Sequence, residues 1–238
     1  MKILIIGAGK MGEAVLKCWL LNKTKFKKEI SVVEVSSKKK NFLKKKYPNV
    51  GFNNQIPTDW NGDLVLLSIK PQIFLNVAKE INSKNIKAKM FLSIMAGISL
   101  KTIEKIINSE SAFFRAMPNL ASSTGKGVTG VFSKKSINTD FKQRIEKLLS
   151  SLGWVYWIKS EKLFDPLTAI SGSGPAYIFL FLKIIIQSAK KFGFSDKVAH
   201  QLTLQTFKGS LEVLNNINNN LEVLISDVAS KGGTTEAA

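Results

Sequence analysis

The sequence predicts an α/β fold in two parts, a sheet wrapped by helices over residues 1–159 and an all-helical region over residues 160–238. Two patterns carry that prediction. Up to about Trp157, short β-branched runs alternate with amphipathic segments, as in a parallel sheet with crossover helices. Beyond Trp157 such runs stop and long apolar or amphipathic stretches take over. With 238 residues, 45% of them hydrophobic, the chain can bury a sizeable core in one or two domains.

In chain order, Ile3–Ile6 reads as the first strand, followed by the loop Gly7-Ala8-Gly9-Lys10-Met11-Gly12. A helix is expected over Met11–Leu21, where Met11, Ala14, Val15 and Cys18 share one face at the 3.6-residue period, so Cys18 reads as core. Strands at Ile30–Val35, Leu64–Ile69 and Met90–Met95 alternate with helices at Lys38–Lys46 and Ile73–Asn82. The clustered lysines of Lys38–Lys46 mark a solvated helix face. Phe164-Asp165-Pro166 and Ser171-Gly172-Ser173-Gly174-Pro175 then interrupt the chain before a helix at Ala176–Phe192 that stops at Gly193. Its most apolar part, Ala176–Ile186, contains Lys183 and falls short of the roughly 20 apolar residues a bilayer needs, so it reads as a buried helix. Ser195 or Asp196 can cap the next helix, to about Asn215, and the Asn-rich run Asn215–Asn220 links it to a further one.

The net charge of +18 would suit a nucleic-acid partner, but Arg115 and Arg144 are the only arginines. Base-reading surfaces lean on bidentate arginine, so the lysine excess reads as solvated surface, and neither nucleic acid nor membrane is expected as a partner. Cys18 is the only cysteine and no leader pattern is present, which points to a cytoplasmic setting. No cluster with metal-ligand spacing is seen. His200, the only histidine, falls inside a helix away from every motif and reads as structural or solvent-facing.

A Gly-x-Gly-x-x-Gly pattern is weak by itself, but here it follows a strand and opens a helix, the setting a dinucleotide site requires. Gly7 permits the tight turn, Gly9 lets backbone approach a pyrophosphate, and Gly12 allows close helix packing. Glu34 stands where an acidic side chain binds the adenosine ribose of NAD, whereas Ser36-Ser37-Lys38-Lys39 suits the 2′-phosphate of NADP. The balance favours NADPH, with NADH possible. Near the other end, Ser230-Lys231-Gly232-Gly233-Thr234-Thr235-Glu236 can turn several backbone N–H groups towards an anion.

Together with Ser68-Ile69-Lys70-Pro71, Met95-Ala96-Gly97, Arg115-Ala116-Met117-Pro118-Asn119 and Ser171–Tyr177, these motifs resemble pyrroline-5-carboxylate reductase nearly end to end. The resemblance implies a Rossmann NAD(P)-binding domain over residues 1–159 and a helical dimerisation and substrate domain over 160–238, in a homodimer or larger homo-oligomer. Ile6, Gly7, Ala8, Gly9, Lys10, Met11 and Gly12 would cradle the cofactor. Ser36 and Asn53 would contact its adenosine end, and Ser68, Ile69, Lys70, Pro71, Met95, Ala96 and Gly97 would line its path to the nicotinamide. Lys70 could equally be a surface lysine at a strand end. Asn119 and Ser173 are expected near the ring. Ser230, Gly232, Gly233, Thr234 and Thr235 would hold the carboxylate of 1-pyrroline-5-carboxylate, with the Thr235 hydroxyl reaching the imine nitrogen.

The implied reaction is hydride transfer to the C=N bond, giving L-proline. Alternatives are another cyclic imine or keto acid as substrate, or cofactor binding without turnover. Three departures from the family pattern stand out: Lys231 replaces a usual Pro, Leu120-Ala121 replaces Thr-Pro, and relatives continue through further helix beyond the position of Ala238.

Overall fold

The computed structural model describes residues 1–21, 29–216, 220–229 and 232–237. They form two compact units, Met1–Pro175 and Ala176–Ala238. In the first, β1 (Lys2–Ile6), α1 (Lys10–Leu21), β2 (Glu29–Val33), α2 (Ser37–Lys46), β3 (Gly51–Asn53), β4 (Asn61–Leu67), α3 (Phe74–Ser83) and β5 (Lys87–Ser93) come in order. They are followed by α4 (Leu100–Ile106), β6 (Ala112–Pro118), β7 (Gly127–Ser133), α5 (Thr139–Leu149), β8 (Gly153–Trp157) and the short α6 (Phe164–Leu167). The eight strands form one sheet in the order β3-β2-β1-β4-β5-β6-β7-β8.

Both faces of this sheet are covered, and the sequence explains how. Ile3 and Ile5 pack on one side with Trp19 of α1 and Leu148 of α5, while Leu4 and Ile6 pack on the other with Phe74 of α3 and Ile103 of α4. Strands buried on both faces are apolar at every position rather than every second one, as Leu64–Leu67 show with no exposure at all. Each such side chain stabilises the fold by about 1.5–3 kcal/mol. The Trp19 indole N–H donates to the Leu148 carbonyl at 3.0 Å, pinning α1 to α5.

The expected sheet was parallel throughout; the observed one is mixed. β7 runs antiparallel to β6, with Met117 opposite Gly130, and β8 then pairs parallel to β7. The short link Asn119–Lys126 folds back as a single 3₁₀ stretch, Leu120–Thr124, and leaves at Gly125 with φ of +73°, too short a path for a crossover helix.

Chain reversal brings β1 and β4 side by side with the chain leaving to opposite sides of the sheet, β2 on one and β5 on the other. That switch point is where doubly wound sheets open a crevice at their carboxyl ends.

The second unit is built on α7 (Gly174–Lys191), α8 (Asp196–Asn216) and α9 (Leu221–Val228), with a terminal turn α10 (Thr234–Ala237). α7 ends in a left-handed Gly193 at φ +95°, with the Gly193 N–H bonded to the Lys190 carbonyl and the Phe194 N–H to that of Ala189, a Schellman stop. Ser195 then caps α8, its hydroxyl accepting from the Val198 N–H at 3.4 Å. His200 is exposed on α8 and its Nδ1 lies 2.9 Å from the Asp196 carbonyl, so it stays solvent-facing.

One expectation for this unit is corrected: Ala176–Ile186 does not lie in a core. None of the α7 residues is buried in the single chain, and Tyr177, Ile178, Phe179 and Leu180 are each more than half exposed. The helix is apolar around most of its circumference, while α8 covers only one side, through contacts such as Phe181 on Phe207 at 5.7 Å. By length and composition, Glu161–Lys191 is apolar enough to cross a membrane. The Asn-rich link falls partly outside the described residues, at 217–219.

Candidate active site

The glycine loop is built around its missing side chains. Gly7 sits at φ +93°, and a Cβ there would lie 2.7 Å from the Ser68 carbonyl oxygen. A Cβ on Gly12 would lie 2.4 Å from the Gly7 oxygen, so α1 can seat against the end of β1 only with glycine there. At Gly9, by contrast, nothing lies within 4 Å. That open, exposed stretch of backbone is what a pyrophosphate needs, and it sits at the start of α1, where the helix dipole favours an anion.

Ser68, at the end of β4, reinforces the loop. Its hydroxyl donates to the Gly7 carbonyl at 2.5 Å and its N–H to the Ile6 carbonyl at 3.0 Å. The side chain is thus committed to the neighbouring strand.

Glu34 completes the brace. It is 8% exposed, and its two carboxylate oxygens accept from the Ala8 N–H at 3.3 Å and the Ser36 N–H at 3.0 Å. The carboxylate therefore ties the glycine loop to the start of α2. Ser36 itself caps α2, its hydroxyl accepting from the Lys39 N–H.

A cavity of about 670 Å³ opens at these strand ends. Seven of the expected cofactor residues line it: Ile6, Gly7, Ala8, Gly9, Ser68, Ile69 and Lys70. Lys10, Met11, Gly12, Ser36, Asn53, Pro71, Met95, Ala96 and Gly97 are not in its wall. Asn53 is exposed and contributes its backbone carbonyl to the Glu34 N–H, while the next residues, Asn54 and Gln55, line the cavity instead. Sequence reading missed them because β3 is only three residues long. It also missed an apolar wall from α3 and the turn before it, Ile73 and Val77 among others, which suits the flat face of a purine.

The charge in the cavity is mixed but unevenly used. Glu80 is paired with Lys84 at 2.7 Å, and Lys84 also donates to the Ile56 carbonyl. Glu34 is bound to backbone, which leaves Lys39 and Lys70, for which no carboxylate partner is found among the described residues. The turn after Lys70 starts with Pro71 and packs Ile73 towards the cavity.

Further along the sheet, the buried Asn119 side chain is engaged through both its amide nitrogen and its oxygen. Its amide donates to the Ser171 carbonyl at 2.9 Å and accepts from the Val128 N–H at 3.1 Å. Asn119 thus fixes the stretch that ends in Ser173, whose N–H bonds the Thr168 carbonyl within a π-type turn, Thr168–Gly172. Such turns are frequent at functional positions. Cys18 is buried and donates to the Ser122 carbonyl at 3.3 Å; burial pushes its thiol up, as befits a core residue. Among the described residues no His, Cys, Asp or Glu cluster could hold a metal ion.

In the second unit, Gly232 turns at φ +77° and Thr234 and Thr235 open α10, both exposed. Ser230 and Lys231 lie outside the described residues.

Against known proteins, the family profile described as "Pyrroline-5-carboxylate reductase dimerisation" matches residues 161–238, and one described as "NADP oxidoreductase coenzyme F420-dependent" matches residues 2–97. The pyrroline-5-carboxylate reductase of Aquifex aeolicus is 34% identical over 99% of this chain and 86% of its own length. The chain belongs to the pyrroline-5-carboxylate reductase family. The Haemophilus influenzae member is 31% identical over 99% of the chain and 87% of its length. Among solved structures, the Coxiella burnetii reductase matches with a TM-score of 0.85 at 32% identity, covering 99% of this chain and 87% of that one. The Plasmodium falciparum pyrroline carboxylate reductase, solved with NADP bound, matches with 0.83 at 27% identity, covering 100% and 87%. The dimerisation match over 161–238, which includes α7, marks the protein as a homo-oligomer acting on a small molecule with a nicotinamide cofactor.

Proposed function

We propose that the chain reduces the C=N bond of 1-pyrroline-5-carboxylate to give L-proline, the closing step of proline synthesis, with NADPH as the preferred donor, in the cytoplasm. Family membership over nearly the whole chain carries the reaction. The cofactor preference rests on one geometric observation. The Glu34 carboxylate, which in an NAD site would accept from the ribose diol, lines the cavity but already accepts one backbone N–H on each oxygen, from Ala8 and Ser36. Lys39 lines the same cavity, has no carboxylate partner among the described residues, and suits a 2′-phosphate. Asn54 is held beside it by Lys40 and by the Ser37 hydroxyl at 3.1 Å.

The nicotinamide, when bound, supplies the hydride. A protonated imine already carries the charge that draws hydride, so the protein needs no strong acid; its task is positioning. In this reading the glycine loop and Lys39 hold the phosphates, and the segments Met95–Gly97 and Ser173 flank the nicotinamide end. Asn119 positions Ser173 through the Ser171 carbonyl. The backbone of Gly232–Thr235, with Ser230, takes the substrate carboxylate, and the Thr235 hydroxyl bonds the ring nitrogen. The domain roles divide at residue 159/160, just before the dimerisation match begins.

Lys39→Ala tests the cofactor assignment. Loss of a charge-assisted bond to the 2′-phosphate, worth about 1.5–3 kcal/mol, should raise the KM for NADPH by roughly 10- to 150-fold and leave that for NADH unchanged. Equal losses with both cofactors would overturn it.

A further inference from the structure

We infer that Arg115 and Glu161 form a positioning pair for the reaction, holding the loop before α4 and the turn Thr168–Ser173 in one frame. The inference rests on the reductase reading, which assigns both segments to the nicotinamide end.

A single carboxylate oxygen joins the parts. Glu161 Oε1 accepts from the Arg115 guanidinium at 2.7 Å and from the Leu100 N–H at 2.7 Å. Leu100 is the first residue of α4, whose own first turn carries no acidic residue. An anion is stabilising at a helix N-terminus, and here it is delivered by a residue 61 positions away in sequence. Upstream of α4, the Ser93 hydroxyl accepts from the Met95 N–H at 3.2 Å, and Ser93 pairs in register with Arg115. Met95–Ser99 is thereby clamped at both ends, with Arg115 beside one clamp and Glu161 forming the other.

Arg115 reaches the second segment as well. It is 8% exposed, and its guanidinium lies over the Phe164 ring at 4.2 Å from the centroid. The Phe164 carbonyl accepts from the Thr168 hydroxyl at 2.7 Å, and the Thr168 carbonyl accepts from the Ser173 N–H at 2.8 Å. A continuous path of contacts thus runs from the α4 N-terminus through Glu161, Arg115 and Phe164 to Ser173. The contacts of Arg115 and Glu161 described here are to protein groups, which makes them positioning residues rather than catalytic ones.

A buried ion pair can also serve stability alone, and an apolar pair of similar volume then replaces it without loss. That contrast supplies the test. Glu161→Gln, Arg115→Met and the double variant Arg115→Met/Glu161→Leu are purified with wild type, and kcat, KM, NADPH affinity and Tm are measured with 1-pyrroline-5-carboxylate. The expected result is a fall in kcat of about 5- to 50-fold in all three, with NADPH affinity within about threefold of wild type. The double variant refills the volume but leaves the Leu100 N–H without its Glu161 acceptor, so it should regain part of the Tm lost in Arg115→Met but not kcat, and its loss should not exceed the product of single losses. Wild-type kcat in the double variant, or kcat losses that simply track Tm, would overturn the inference while leaving the reductase reading intact. A wild-type protein without turnover would overturn both.

Discussion

At Gly7 and Gly12 the absent side chain is a packing requirement, whereas at Gly9 it is an opening. Alanine at Gly12 would place Cβ 2.4 Å from a carbonyl oxygen and must push α1 off the sheet, costing about 1–3 kcal/mol, read as a lower Tm in the absence of cofactor. Alanine at Gly9 meets nothing within 4 Å, so its Tm should match wild type within a degree or two while NADPH affinity falls severalfold. If Gly9→Ala binds NADPH normally, the loop does not cradle the pyrophosphate. The packing at Gly7 and Gly12 was legible in the sequence because the glycine spacing falls between a strand and a helix, where the turn must be tight and the helix close. The engagement of Glu34 was not legible: an acidic residue at that distance has two orientations, and only the Ala8 and Ser36 N–H groups decide between them. For Thr235, removal of the hydroxyl by Thr235→Ala should lower kcat/KM by roughly 5- to 150-fold, the worth of one hydrogen bond of about 1–3 kcal/mol; an unchanged value would sink its assigned role.

Among elements, β1, β4 and β5 were readable because strands buried on both faces carry unbroken buried runs, and β2 because its Ile30, Val32 and Val33 are β-branched. β6 is as apolar, yet its partner β7, Gly127-Val-Thr-Gly-Val-Phe-Ser133, is broken by two glycines and two hydroxyl residues, and the edge strand β8 has no buried residue, so both carry weaker signals. Their reversed direction depends on the short Asn119–Lys126 link rather than on any strand's composition. The centre of the sheet also carries a charge device: Asp63 on β4 accepts from the Lys2 N–H at 2.9 Å and from the Lys89 ammonium at 2.9 Å, joining β1, β4 and β5. Burial pushes the Asp63 carboxyl up, but the Lys89 and Lys2 hydrogen bonds outweigh it and hold it below its ordinary value. A folded-state value below the unfolded one, which is about 3.9, means stability present above that pH and lost as pH falls through the lowered value. Asp63→Asn should therefore lower Tm at pH 7 by about 1–4 °C, the effect of a partly exposed pair, and the gap should close towards pH 3. A gap that persists unchanged at pH 3 would assign the effect to packing.

At the scale of the whole molecule, the second unit cannot be understood from one chain. Its first helix reads as a core helix in the sequence, and the surface of Tyr177 to Leu180 becomes intelligible only beside the dimerisation match over 161–238. Sequence periodicity reports how apolar a helix is, not which chain covers it. Leu180→Glu would bury a charge in that contact at a cost of several kcal/mol, so sedimentation should show a monomer where wild type shows a dimer or larger assembly. An unaltered assembly would place the contact elsewhere on the helices.

The central claim is tested most directly by following oxidation of NADPH, and separately NADH, by the purified chain with 1-pyrroline-5-carboxylate, and by identifying the product. The account predicts substrate-dependent oxidation that yields L-proline, faster with NADPH at limiting cofactor. Cofactor binding without turnover of this imine would contradict it.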